Sequence, residues 1–273
     1  MYLKKFLFKG PFKPSHEANL MAYEGDVERA RNQFLKKRFK NLDFLLENRF
    51  VWMNKYINPD DRVIEVGSGA AFSQFYIKNK ILHTDFIENK PSWINKNVNA
   101  MEMEKHFDHN SIDVIIASHT IHHFSCPRNF FQSCLKILKP NGYILINEIN
   151  TSLVTRFFLY IMNHEGWSYE DDVFSSNDIK SDDDNWEANC AIAELLFSNH
   201  LKFEKEFPGL SIEKEVVGEF LIFPLSGGVI AKRNIPEMPL FFLKLIKIID
   251  DFLIKFLPGI FGMTRNLVLR KKV

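Results

Sequence analysis

The stretch Val63-Ile64-Glu65-Val66-Gly67-Ser68-Gly69-Ala70-Ala71-Phe72 decides the fold of this chain. Its β-branched run, opening at Arg62, predicts a short buried strand. The Gly-x-Gly that ends the run predicts a turn into a helix, with backbone free to approach a ligand because glycine has no Cβ. A second short strand is predicted over Ile81 to Thr84, ending at Asp85. An acidic side chain at that point can accept both hydroxyls of a ribose. Taken alone, the turn equally suits a tight strand-to-helix connection with no ligand.

Working outward, the alternation continues. Residues Val27 to Ile57 have helical spacing, with Phe34, Leu35, Leu42, Leu45, Leu46 and Val51 returning on one face. Asn58-Pro59-Asp60-Asp61 breaks that helix. Asp113 to Ser118 and Tyr143 to Asn147 are further apolar strands, separated by a helix over Asn129 to Leu138 and a turn at Lys139-Pro140-Asn141-Gly142. Strand-helix alternation of this kind predicts an α/β fold with a parallel sheet and right-handed crossovers. Later, Asn185 to Asn199 has helical spacing, and Ser211 to Phe223 and Thr264 to Lys271 look like strands, with a turn at Ser226-Gly227-Gly228.

Composition excludes several classes. Hydrophobic residues make up 46% and charged residues 25%, the balance of an ordinary globule. A net charge of +1 gives no reason to expect a nucleic-acid partner, and none is predicted. Three cysteines, Cys126, Cys134 and Cys190, form no Cys-x-x-Cys pair, which argues against a disulfide framework or zinc site. His122 and His123 are adjacent, a poor spacing for joint ligation, so no metal is expected. The acidic run Asp182-Asp183-Asp184 reads as a solvated loop. The opening MYLKKFLFKGPFKP is too short in apolar residues for a signal-peptide core, and no uncharged apolar run of about 18 residues occurs. A cytoplasmic compartment is the expectation.

From Val63 to Glu148 the chain resembles the class I S-adenosylmethionine-dependent methyltransferases, of the methyltransferase-11 type, segment by segment. Glu65-Val66-Gly67-Ser68-Gly69 is similar to their first motif, and Thr84-Asp85 to their ribose-binding acid. Asn99-Ala100-Met101 stands where the family usually has Asp-Ala near adenine. Ile112 to His123 resembles their fourth strand and following loop, and Leu138 to Glu148 their Leu-Lys-Pro-Gly-Gly turn and fifth strand. Two departures stand out: Ala71 replaces the third glycine, and Asn99 the adenine-site aspartate. A nicotinamide site would share the glycine turn and the acid, but not the Ser-His-Thr-Ile-His-His loop. No phosphate-binding Gly-x-x-x-x-Gly-Lys motif is present.

The resemblance implies a Rossmann-like, seven-stranded, mostly parallel sheet flanked by helices. To this are added an N-terminal helical extension and a helical insertion before the last strand. The implied division is a helical cap over 1–57, a cofactor core over 58–150, and an acceptor region over 151–273 with an insertion at about 236–262. The implied cofactor is S-adenosyl-L-methionine, held by Glu65, Gly67, Ser68, Gly69, Asp85, Phe86, Asn99, Ala100, Met101, Ser118 and His119.

Methyl transfer needs alignment of a nucleophile and, for a hydroxyl acceptor, a base. His123 follows the fourth strand, and His164-Glu165 follows the fifth; these three are the catalytic candidates. Against that role, such a histidine pair can simply pack on the cofactor, and a His-Glu pair can simply hold a loop. The expected reaction is methylation of a small-molecule or lipid-linked acceptor, at oxygen if a histidine serves as base. Carbon or nitrogen methylation, or a non-catalytic adaptor that keeps the fold, are the rivals. Pro239 to Leu257 forms an amphipathic helix, with Lys244, Lys247, Asp250, Asp251 and Lys255 on one face and Leu240, Phe241, Leu245, Ile249, Phe252 and Phe256 on the other. Docking on the chain's own core, a homodimer contact and peripheral attachment to a membrane are all compatible with that face.

Overall fold

In a computed structural model, residues 9–14, 26–87, 89–163, 165–180, 188–230 and 233–273 are described. His164, the run Asp182-Asp183-Asp184, and the start of the predicted helix over Asn185 to Asn199 lie outside these residues, as does most of the basic-aromatic N-terminal stretch.

The chain enters through α1 (Val27–Lys36) and α2 (Lys40–Phe50), then a 3-10 segment Val51–Lys55. The sequence predicts one helix here. It is broken at Lys37–Phe39, where both flanking residues are extended. Continuing the helix would stack Lys36, Lys37 and Lys40 at like-charge i,i+3 and i,i+4 spacings, which destabilise a helix. The break instead lets Arg38 pair with Asp43 at 2.6 Å and lie over the Tyr76 ring.

The sheet follows: β1 (Val63–Val66), β2 (Ile81–Asp85), β3 (Lys96–Asn97), β4 (Ile112–Ser118), α3 (Pro127–Ile137), β5 (Leu138–Ile149) and α4 (Leu153–Met162). Then come α5 (Ile192–Phe197), α6 (His200–Glu206), β6 (Leu210–Gly218), α7 (Ile222–Ser226), α8 (Leu240–Phe256), α9 (Pro258–Phe261) and β7 (Thr264–Lys271). Strand order is β3-β2-β1-β4-β5-β7-β6. The first five strands pair in parallel, while β7 runs antiparallel to both β5 and β6. This is the mostly parallel, seven-stranded Rossmann-like sheet that the resemblance implies.

Alternation along the strands builds two apolar layers. Ile64, Ile115, Ile144 and Leu267 face α3, α5 and α6, where Phe130, Phe131, Phe197 and Phe203 interlock. Val63, Val114, Ile116 and Leu145 face the other way, onto Phe34, Leu45, Leu46 and Leu243. Both faces are covered, so the strands are apolar throughout.

Four expectations need correction. No α-helix follows the glycine turn; one 3-10 turn, Phe72–Phe75, makes the crossover. The helix directly after the fifth strand is α4, not Asn185 to Asn199, of which only Ile192–Phe197 is helical among the described residues. The strand predicted to reach Phe223 ends at Gly218, and Ile222 begins α7. The Lys139–Gly142 turn is a bulge inside β5, with Asn141 left-handed at φ 66°. Among the described residues no helix is long and apolar enough to cross a membrane.

Candidate active site

The carboxyl ends of β1, β2, β4 and β5 converge on one cavity of about 580 Å³, a volume typical of small-ligand sites. Open α/β sheets bind ligands at this edge. Every cofactor candidate named from the sequence lines it: Glu65, Gly67, Ser68, Gly69, Asp85, Phe86, Asn99, Ala100, Met101, Ser118 and His119. So do His123 and Glu165.

Two glycines shape the β1 end. Gly67 and Gly69 have φ of +56° and +49°. A Cβ on Gly67 would sit 2.0 Å from Thr120 Oγ1, so this glycine lets the β1 and β4 loops close on each other. A Cβ on Gly69 would meet only Val27, at 3.8 Å, leaving its cavity side open. The Gly69 amide donates to Asp85 Oδ2 at 2.7 Å, and Phe86 N to Oδ1 at 2.9 Å. Burial nevertheless raises the Asp85 carboxyl above its usual range. Each oxygen keeps a lone pair for a ligand hydroxyl. Arg31 on α1 donates to Ala70 O at 2.6 Å, and Trp93 Nε1 to Gly69 O at 2.9 Å, so the turn is braced from outside. Glu65 is buried, accepting from Ser73 Oγ and pairing with His83. Asn99 accepts from Met101 N at 2.9 Å, which caps the Ala100–Lys105 3-10 segment.

The β4 end is organised by a residue that the sequence reading passed over. Glu148 is fully buried at the end of β5 and accepts from Thr120 N at 2.6 Å, Ile121 N at 2.8 Å and Ile149 N at 2.9 Å. It also binds His122 Nδ1 at 2.7 Å. That leaves His122 Nε2 directed at Glu165, 3.8 Å from Oε1, with His123 Nε2 at 3.7 Å from the same oxygen. Among the described residues, His122, His123 and Glu165 form the one group whose ligand-type atoms lie close enough to hold a metal ion, within 4.8 Å of one another. Their geometry serves equally for sharing protons.

Electrostatics splits the three histidines. Burial disfavours a charge on His122, but Glu148 and Glu165 outweigh it and lift its pKa to about 10. Burial would raise Glu148; His122 instead pulls it down to about 2. Burial and the neighbouring His122 hold His123 well below the ordinary range. Burial and Arg49 do the same to His119. At neutral pH the cavity therefore presents one imidazolium, braced by a carboxylate, and two neutral imidazoles. His119 Nδ1 is buried without a hydrogen-bond partner.

Glu165 is held from behind. Its neighbours Gly166 and Trp167 bridge to Asn189 and Phe12, and a Cβ on Gly166 would fall 2.2 Å from the Phe12 carbonyl. Beyond the histidines the wall is mostly apolar, with Ile149, Phe158, Leu159, Met162, Phe223 and Val229, and includes the polar residues Thr155, Lys180 and Thr264. Arg49, also on the wall, is locked in a buried bidentate pair with Glu219 at 2.7–2.8 Å.

The profile of the methyltransferase domain matches residues 28–186, more than half of the chain. The chain belongs to the methyltransferase-domain family. The methyltransferase uses S-adenosylmethionine as its methyl donor, and the open Gly69 face and the Asp85 carboxylate suit such a ligand. In fold, the methyltransferase is similar to a SAM-dependent methyltransferase from Archaeoglobus fulgidus, at 19% identity and a TM-score of 0.49, over 84% of this chain and 93% of that one. A Methanosarcina mazei SAM-dependent methyltransferase gives 13% identity and 0.45, over 82% and 98%. The trans-methyltransferase CalH in complex with SAH gives 12% and 0.42, over 83% and 54%. No curated protein matches the sequence.

Proposed function

We propose that the methyltransferase methylates an oxygen of an apolar acceptor, either a small molecule or a lipid-linked one. The observation that carries this reading is the pairing, at one end of the cavity, of an apolar wall with His123 and Glu165. When bound, the donor supplies an electrophilic methyl on a sulfonium. Asp85 would hold the ribose hydroxyls, Asn99, Ala100 and Met101 the adenine, and the Gly67–Gly69 backbone the remainder of the donor. Glu65 supports the turn from below, and Ser118, His119 and Phe86 close the sides. The apolar wall seats the acceptor and excludes water. As the acceptor oxygen gains the methyl group, its O–H bond breaks and the proton passes to neutral His123 Nε2. The Glu165 carboxylate beside it then stabilises the imidazolium. His164, next in sequence to Glu165, is kept as a third candidate.

The same reading divides the chain into a cap (1–57), a donor core (58–150) and an acceptor region (151–273). The cap residues Val27, Leu46, Arg49 and Phe50 on the cavity wall support it. It includes peripheral contact with a membrane and leaves a homodimer open. The test is transfer of labelled methyl to aqueous and lipid fractions of a cell extract, with mass spectrometry of the product. A methoxy group on an apolar product is expected. Label on nitrogen or carbon, or in a strongly polar product, would overturn the reading.

A further inference from the structure

Helix α8 turns its apolar face outward. Its buried residues are Leu243, Asp250 and Ile254, while Phe241, Ile248, Phe252 and Phe256 are between 62% and 71% exposed. A polar residue causes this orientation. Asp250, on the face that the sequence marks as charged, is fully buried and accepts from the backbone amides of Phe220, Leu221 and Ile222 at 3.0–3.2 Å. These are amides at the start of α7, which have no partner within their own helix. Rolling α8 to bury its phenylalanines would strip them of their acceptor and expose the join between α7 and β6.

The exposed apolar surface does not stop at α8. Helix α9 packs against both α8 and α4, and α4 adds Phe157, Ile161 and Met162, each more than 40% exposed. The opposite side of α4 lines the cavity through Thr155, Phe158 and Leu159, and Met162 belongs to both surfaces. The apolar surface therefore runs to the cavity wall. Scattered exposed hydrophobic residues are ordinary, but a contiguous group of this extent marks an interaction site.

We propose that α8, α9 and the outer side of α4 form a bilayer-docking surface that seats the protein in the interfacial zone of an anionic membrane and opens the cavity toward the lipid. The proposal rests on the reading of the acceptor as apolar. Charge selects the occupant. Lys244 and Lys255 are exposed beside the phenylalanines, Lys247 is neutralised by an ion pair with Asp251, and Asp250 is turned inward. The surface is thus net positive and complements anionic headgroups. A second copy would bring the same positive charge to the contact. Lysines on such a face can lay their methylene stems along apolar surface and hold their ammonium groups in water. At 17 residues α8 is too short to span a bilayer, and helices of this pattern lie in the interface plane.

The test is sedimentation of the full chain with vesicles of phosphatidylcholine alone and with phosphatidylglycerol added. Binding is expected only where phosphatidylglycerol is present, and raised salt should weaken it. The variant F241S/F252S/F256S should lose roughly 1000-fold in partitioning, since each buried phenylalanine contributes about tenfold. K244E/K255E should lose the preference for phosphatidylglycerol. Both variants should bind S-adenosylhomocysteine as wild type does, because none of these side chains lines the cavity. Absence of wild-type binding to either vesicle, or unchanged binding by the phenylalanine variant, would overturn the proposal. So would a wild-type dimer that this variant converts to monomer with no vesicle binding. Vesicle binding together with methylation of a polar soluble product would overturn the acceptor reading alone.

Discussion

Glu148 and His122 form a fully enclosed ion pair, 2.7 Å between Oε2 and Nδ1, where the end of β5 meets the loop after β4 that carries three histidines to the cavity. Two further amides of that loop end on the same carboxylate, so its conformation depends on Glu148.

Glu148→Ala should therefore cost about 3–5 kcal/mol, the usual penalty for leaving one partner of a buried pair alone. The pH dependence has a definite sign. His122, raised from 6.5 to about 10, adds stability that is complete below pH 6.5 and lost as pH rises through 10. Glu148, depressed from 4.5 to about 2, adds stability complete above 4.5 and lost as pH falls through 2. The difference between wild type and His122→Asn should be largest between those two ordinary values, shrinking toward pH 10. Urea titrations across that range check it, and a difference independent of pH would count against the pair.

A base of ordinary histidine strength would lose activity as pH falls through 6.5. His123 is held well below that value, so its lone pair stays available in more acidic solution. The acidic limb of the kcat/KM profile should therefore lie below pH 6.5. Glu165→Gln should move it lower still while cutting kcat about 100-fold, the low end of proton-transfer contributions. An acidic limb at 6.5 would remove His123 from the role.

Asp85→Ala should weaken S-adenosylhomocysteine binding by about 3 kcal/mol, roughly 100-fold, because hydrogen bonds to a charged acceptor contribute up to that much. The variant also releases the Gly69 and Phe86 amides. Calorimetry measures the loss, and affinity equal to wild type would detach Asp85 from the donor.

Gly67→Ala meets Thr120 directly, with a Cβ 2.0 Å from Oγ1 and a left-handed φ besides. A cost of about 2–4 kcal/mol is expected from overpacking and conformation together. Removing the Thr120 side chain by Thr120→Gly should recover the steric part and leave the conformational part. A double-mutant cycle by denaturant titration should show that coupling; strict additivity would mean that the two residues do not meet.

Ala71 is left-handed too, at φ 51°, and fully buried. Its conformation costs about 1–2 kcal/mol that glycine avoids, against about 0.5–1 kcal/mol of extra chain entropy. Ala71→Gly should raise stability by about 0.5–1 kcal/mol, seen as a higher urea midpoint with unchanged slope.

The sheet was legible because its strands are β-branched runs closed by recognisable turns: Val63–Val66 before Gly67, Ile112–Ser118 before His119. Gly67, Gly69 and Asp85, which line the cavity, could be placed for the same reason. Glu148 was not, since a carboxylate at the end of an apolar strand looks the same whether it faces water or three amides. Helix α4 was missed because Leu153–Met162 has almost no polar stripe: one side lines the cavity and the other is bare, and periodicity needs a contrast. Asp250 misled for the opposite reason. Its spacing among lysines marks it as solvated, and only the position of α7, distant in sequence, reverses that.

The four-residue 3-10 turn that stands after the glycine turn, in place of a helix, also bears on the ligand. A long helix starting there would aim the positive end of its dipole into the cavity, which is how dinucleotide sites hold a pyrophosphate. Phe72–Phe75 is a single 3-10 turn and presents no such dipole. Around this turn stand the carboxylates of Glu65 and Asp85 instead. The turn thus offers a ligand no helix N-terminus, and the Gly69 amide beside it is already given to Asp85 Oδ2.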